Sequence, residues 1–188
     1  KVRRGLSAGR VQSVALKLVC DREAAIDPNQ DRAQKIADET GAQVYATLTQ
    51  ALERGDFEAV DLMLPHDLHE PAALEAFRAG KHVLLEKPMA PTLEATQRIL
   101  AAAQSAGTAV MVAENAQYWP EVVKAQDLIN NGAIGEIITA RAAFVSEPDD
   151  VWFQDNHPWR YERSRTGGGI VIDGGSHWIR PLRMWLGS

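Results

Sequence analysis

The run AVDLMLPHDLHEPAALEAFRAGKHVLLEKPMAPTLEA, from Ala59 to Ala95, decides the fold class. AVDLMLP (Ala59–Pro65) is a mostly apolar stretch closed by a proline, as a buried strand would be. HEPAALEAFRAG follows with a helical pattern, Pro71 near its first turn and Gly80 beyond its end. HVLLEKP (His82–Pro88) is strand again, stopped by Pro88. TLEATQRILAAAQSAG is the next helix, capped by Thr92 and ended by Gly107. TAVMVAE then adds one more strand.

The same alternation extends upstream. AAID (Ala24–Asp27) is a short apolar step ending in an acid, and DRAQKIADET is a helix with Ala33, Ile36 and Ala37 on one face. Gly41 occupies the left-handed cap position. AQVYATL predicts a strand and its exit, and LTQALER a short helix with Thr49 as its cap. Strands alternating with helices through short connectors pair in parallel. Strands apolar on both faces suit a doubly covered sheet. The fold class is therefore α/β, and ligands are expected beyond the carboxyl ends of the strands. That rim carries Asp27, Pro65, His66, Glu86, Lys87, Glu114 and Asn115.

Composition narrows the function. The chain has 188 residues, 45% of them hydrophobic and 24% charged, as in an ordinary globular protein. A net charge of −5 argues against a general nucleic-acid binder, which needs an excess of Lys and Arg. The single cysteine, Cys20, excludes an internal disulfide and a cysteine-based zinc cluster. No apolar run approaches the roughly 20 residues needed to span a bilayer, and the first residues lack the apolar core expected of a secretory signal. A cytoplasmic setting is the default expectation.

Beyond a helix at about Glu121–Asn131 the texture changes. GEIITARAAFVSE predicts a longer strand of a sheet with one wetter face, so a domain change is placed near Gly135. Pro148 to Arg165 is Trp-rich and charged, a loop over a site. GGGIVIDGGSHWIRPLRMWLG is a Gly-rich turn running into a helix, and the chain stops at Ser188 with this second domain barely begun. The expected division is 1–23, a basic segment; 24–134, a parallel-sheet domain; and 135–188, the truncated start of an α+β substrate domain.

Several rim residues could do chemistry. Glu86-Lys87 at a strand end places an acid beside an amine that can hold a hydroxyl or polarise a carbonyl, or form an exposed ion pair. Asp173 and His177 are four apart, so on one helix they would share a face. A histidine there can take a proton from a hydroxyl; the alternative is a capping Asp and a packed His. His66 and His69 invite a metal, but no third or fourth ligand is evident, so no metal is expected. Asn115 and Gln117 lie where amides could reach a ribose or substrate. Trp152, Trp159 and Trp178 could stack on a ring or simply pack.

Taken together these segments resemble the glucose-fructose oxidoreductase and inositol dehydrogenase (Gfo/Idh/MocA) family. The resemblance runs through Ala59–Ala95, ENAQYWP, NGAIGEI and GGGIVIDGGSHWIRPLRMWLG, about residues 24–188. It implies a Rossmann-like sheet and hydride transfer between NAD(P) and a sugar or cyclitol hydroxyl. It also implies Lys87, Asp173 and His177 as the catalytic group, with His177 as general acid/base, Lys87 contacting substrate and cofactor, and Asp173 supporting the reacting hydroxyl. Glu86 and Asn115 would line the nicotinamide end, with Pro65 and His69 above the cofactor. Asp27 would take the adenosine ribose hydroxyls, favouring NAD; Arg32 nearby leaves NADP open. The second-domain sheet commonly forms the family's interface, so a homo-oligomer is open too.

The basic opening KVRRGLSAGRVQSVALKLVCDRE, Lys1–Glu23, admits two readings. As the family's G-x-G-x-x-G turn it retains only the middle glycine, Gly9, after a strand with adjacent arginines. Letter by letter it better resembles the SAGRVQS segment of bacterial type IA DNA topoisomerases, which would make the chain a fusion or chimera whose sheet has an altered or missing first strand. Without the glycine cradle and a full second domain, weak or absent turnover is expected. A catalytically inactive Rossmann-like module and a nucleic-acid-binding protein are the other functional readings, and the negative charge disfavours DNA.

Overall fold

The computed structural model describes residues 34–35, 37–39, 41, 43–143, 145 and 158–187. They fall into two compact units dividing between Val112 and Ala113. In the first, α1 (Leu48–Arg54), β1 (Ala59–Leu62), α2 (His66–Arg78), β2 (His82–Leu85), α3 (Leu93–Ala106) and β3 (Val110–Val112) follow in order. The strands form a parallel sheet in the order β1-β2-β3. Each neighbouring pair is thus bridged by one helix, two successive βαβ units. Residues 34–35 and 37–39 are helical, as the apolar spacing predicts.

Register explains the core. Val60 aligns with Val83 and Val110, and Leu62 with Leu85 and Val112. Side chains alternate along a strand, so Val60, Leu62, Val83 and Leu85 share one face and are at most 3% exposed. They join Ala72, Ala73, Ala76 and Phe77 of α2 with Ile99 and Ala103 of α3 in one cluster. Alanines on α2 let the helix backbone come close to the strands. Asp61, Leu84 and Met111 form the opposite row, and Met111 is 49% exposed. The expectation of strands apolar on both faces is corrected there by Asp61, a carboxylate in the middle of β1.

The helix ends follow local chemistry. Thr92 is the N-cap of α3, its side chain accepting from the backbone N–H of Ala95 at 3.2 Å. Gly107 closes that helix in the left-handed region at φ 67°. The cap of α1 is Thr47, which accepts from Gln50 N at 3.1 Å, and not the expected Thr49. A cap must be extended, as Thr47 is, whereas Thr49 lies inside the first turn and donates to Glu75 Oε1 at 2.6 Å. The expected strand in AQVYATL does not form at residues 43–45, which have no regular structure.

The second unit is helical among its described residues. A 3-10 turn at Ala116–Tyr118 leads into α4 (Pro120–Asn130), which starts with proline at its first position. A second 3-10 turn, Pro158–Tyr161, precedes α5 (Arg163–Thr166), α6 (Ile170–Asp173) and α7 (Ser176–Leu186). The strand expected from GEIITARAAFVSE is not formed between 136 and 143. A strand is held by its partner's backbone bonds, and none is supplied among the described residues; Ile138 is 94% exposed.

Candidate functional site

In the first unit, candidate residues gather at the carboxyl ends of the strands. Pro65 is the residue before α2, three positions beyond Leu62, the end of β1. Glu86 and Lys87 directly follow β2, half-buried, and the Glu86 carboxylate accepts from the Lys87 backbone N–H at 2.7 Å. That bond turns the chain at the strand end and aims both residues from a fixed point. The Lys87–Pro88 peptide bond is cis.

His69 has no exposed surface. Its Nδ1 lies 2.9 Å from the carbonyl of Pro88 and its Nε2 2.8 Å from that of Leu64. Burial pushes the ring below the ordinary histidine range, against the pull of those carbonyls. His69 therefore ties the loop after β1 to the turn that carries Lys87.

Asp61 lies beneath this rim. Burial, followed by the neighbouring Glu86 charge, pushes its carboxyl up from 3.8 to about 6. Such a group costs no stability below pH 3.8, where both states are protonated, and its full cost is felt above pH 6. Discounted for partial exposure, the cost is about 1–3 kcal/mol. Asp61→Asn should therefore gain on the wild type by that amount between pH 4 and pH 7.5 in urea unfolding. Parallel pH profiles of the two proteins would exclude this.

In the second unit the sequence-predicted pair is arranged otherwise than expected. Asp173 ends α6 and His177 lies in the first turn of α7, separated by Gly174 and Gly175, so they do not share one helix. A Cβ at Gly175 would lie 2.2 Å from the Val171 carbonyl oxygen, so only glycine fits this junction. Asp173 pairs with Arg160, Nη1 to Oδ2 2.5 Å, and the guanidinium sits 4.7 Å from the centre of the Trp159 ring. His177 Nδ1 is 2.6 Å from Glu114 Oε1, which also accepts from Ala116 N at 2.9 Å. Trp119 stacks against the imidazole at 5.9 Å, and Trp178 meets Trp119 edge-on.

Glu114 is only 8% exposed. Burial would raise its carboxyl, but the Ala116 N–H, the Ser176 hydroxyl and His177 outweigh that and hold it below the usual carboxylate range. Arg180 donates through Nε and Nη2 to Gln117 Oε1, fixing α7 on the turn that carries Glu114. Asn115 is exposed beside it. Gly9, Asp27 and Arg32 lie outside the described residues. The partners Glu114 and Arg160 escape sequence reasoning: Glu114 reads as one more rim acid, and nothing in its local spacing points to a histidine 63 positions later.

Residues 9–114 match the family described as "Oxidoreductase family, NAD-binding Rossmann fold" (GFO_IDH_MocA). The chain belongs to this family. Its C-terminal-domain description matches residues 122–188. The levoglucosan dehydrogenase of Pseudarthrobacter phenanthrenivorans is 35% identical over 136 residues, 71% of this chain and 34% of that protein. The dTDP-3,4-didehydro-2,6-dideoxy-alpha-D-glucose 3-reductase of Actinomadura kijaniata is 32% identical over 158 residues, 84% of this chain and 46% of that one. Among solved structures, the WlbA dehydrogenase of Bordetella pertussis, in complex with NADH and UDP-GlcNAcA, superposes with a TM-score of 0.70 at 28% identity, over 86% of this chain and 48% of that one. The chain thus spans about a third to a half of these relatives' lengths.

These matches bear on two expectations. The cofactor of the Gfo/Idh/MocA Rossmann domain is NAD. The family match begins at residue 9, so it takes in most of the basic opening, and a topoisomerase chimera finds no support. The chemistry of the rim is compatible with a dinucleotide: the second strand of the parallel sheet carries a carboxylate and an ammonium at its carboxyl end. No helix among the described residues is long and apolar enough to cross a membrane.

Proposed function

We propose that the protein is an NAD-dependent oxidoreductase that passes hydride between the nicotinamide and a ring carbon bearing a hydroxyl on a sugar or cyclitol. The bound nicotinamide supplies the hydride acceptor or donor. The observation that carries the reading is the Glu86-Lys87 turn, placed by β2 at the carboxyl rim and braced through His69 on the Pro88 carbonyl. Lys87 holds the substrate and cofactor oxygens as a cation, His177 exchanges the hydroxyl proton, and Asp173 supports the reacting hydroxyl; these three roles follow the family resemblance. Glu86, Pro65 and Asn115 line the nicotinamide end, and Gly9 and Asp27 take the pyrophosphate and adenosine ribose. His69 acts as a positioning residue for the turn. The sugar-directed dehydrogenase and reductase among the relatives support the substrate class.

The test is an NADH titration followed by nicotinamide fluorescence, with wild type and Lys87→Ala side by side. Saturable micromolar binding is expected, weakened about 10-fold or more by loss of a charge-assisted contact. Binding that is absent in the wild type, or indifferent to Lys87, would count against the reading. Sugars and inositols are then screened for NAD reduction.

A further inference from the structure

We infer that Glu114 is the positioning residue that fixes the tautomer of His177 for proton transfer. The inference rests on the reading of His177 as the acid/base group and adds the group that governs it.

A carboxylate accepts hydrogen bonds and donates none. Glu114 Oε1, 2.6 Å from His177 Nδ1, must therefore receive an N–H from that nitrogen. In the neutral ring this leaves the lone pair on Nε2, so Nε2 is the proton acceptor. Glu114 is itself held: Ala116 N donates to the same oxygen at 2.9 Å. Its second oxygen and Ser176 Oγ are both buried without a well-aligned partner, so the hydroxyl lies where rotation would let it donate to the carboxylate. The Trp119 ring, tilted 30° from the imidazole, restricts rotation about the side chain. Of the other charged groups nearby, Asp173 pairs with Arg160 and Arg180 donates to the Gln117 amide oxygen, while Glu121, Lys124 and Asp127 lie on α4, which packs against α7.

During oxidation the substrate O–H bond breaks and its proton goes to Nε2. Bound oxidised nicotinamide would take the carbinol hydrogen with its electron pair as hydride, leaving the substrate as a carbonyl. The imidazolium that forms donates from Nδ1 to a carboxylate already in place, without reorganisation of solvent. The sequence places Glu114 on the strand rim as one acid among several; the structure gives it this task.

The experiment is nitrogen-15 NMR of histidine-labelled wild type, Glu114→Gln and His177→Gln, the last assigning the resonances, together with steady-state kinetics on the whole protein. In wild type the neutral His177 is expected as the Nδ1–H form. In Glu114→Gln, whose amide can also donate, the two tautomers are expected to mix, with kcat down about 10²-fold and KM changed less than about 3-fold. An Nε2–H ring in wild type would overturn the inference without any variant. So would an unchanged tautomer in Glu114→Gln, or a shifted tautomer with unaltered kcat. If His177→Gln keeps full turnover while the Nδ1–H tautomer persists in wild type, it is the acid/base reading of His177 that fails.

Discussion

On the proposed function, His177→Gln should lower kcat by about 10²- to 10⁴-fold, the usual worth of a positioned acid/base group. That corresponds to about 3–5 kcal/mol of transition-state stabilisation. Glutamine preserves the bulk of the side chain and can still engage Glu114, but it cannot take up a proton. The substitution therefore tests proton transfer rather than packing. His177 is a quarter exposed at its side chain, so little buried volume changes. The NADH dissociation constant is expected to hold within a factor of about two, because the cofactor is assigned to the Rossmann domain. Kinetics and fluorescence titration on the same preparation check both halves. A kcat within about three-fold of wild type would remove His177 from the chemistry. An equal collapse of NADH binding would instead indicate a damaged fold.

The two units carry different kinds of information in their sequences. In the first, strand apolarity, Thr92 as cap, glycine after helix α3 and proline after β2 are local signals, and each is visible within one turn or one strand. That is why the parallel α/β architecture was legible along Ala59–Val112. Local signals misled where neighbours decide. AQVYATL and GEIITARAAFVSE have strand composition, but a strand exists only by its ladder partner. The Asp173/His177 spacing suggested one helical face, yet the Gly174-Gly175 junction breaks the helix and sends the two side chains to separate partners.

The site shows the same division. Lys87, Asp173 and His177 were visible as candidates because their motifs are short and family-like, and their catalytic roles are proposals. Glu114 and Arg160, which hold the latter two, were not. A carboxylate's partner 63 residues away is fixed by packing of α7 against the Ala116–Tyr118 turn, and packing leaves no spacing rule in the chain. A buried acid that stays ionised is informative for this reason. It persists only where donors converge on it, so Glu114 marks a built feature, and the imidazole is one of those donors. Asp61 is the converse: it has few compensating donors, and its carboxyl is pushed up.

Leu85→Ala should cost about 2–5 kcal/mol of unfolding free energy, the range for deleting a buried leucine where the surroundings cannot collapse. Leu85 has no exposed surface and lies in β2, the middle strand, aligned with Leu62 on one side and Val112 on the other. Both flanks are fixed by backbone ladders and the covering cluster includes small alanines of α2 with Ile99 of α3, so the neighbours have limited freedom to collapse into the space. The effect reaches function by a short path. Leu85 immediately precedes Glu86-Lys87, and the Glu86 N–H donates to Leu62 O at 3.0 Å, so the rim is anchored by the strand position that the cavity loosens. Urea unfolding of Leu85→Ala beside Met111→Ala, at a half-exposed position of the neighbouring strand, separates the cavity from generic strand damage. The second variant should lose under about 1 kcal/mol. NADH affinity, measured well below the unfolding midpoint, should fall for Leu85→Ala alone. Equal stability losses in the two variants would place the core elsewhere than between this sheet face and its helices.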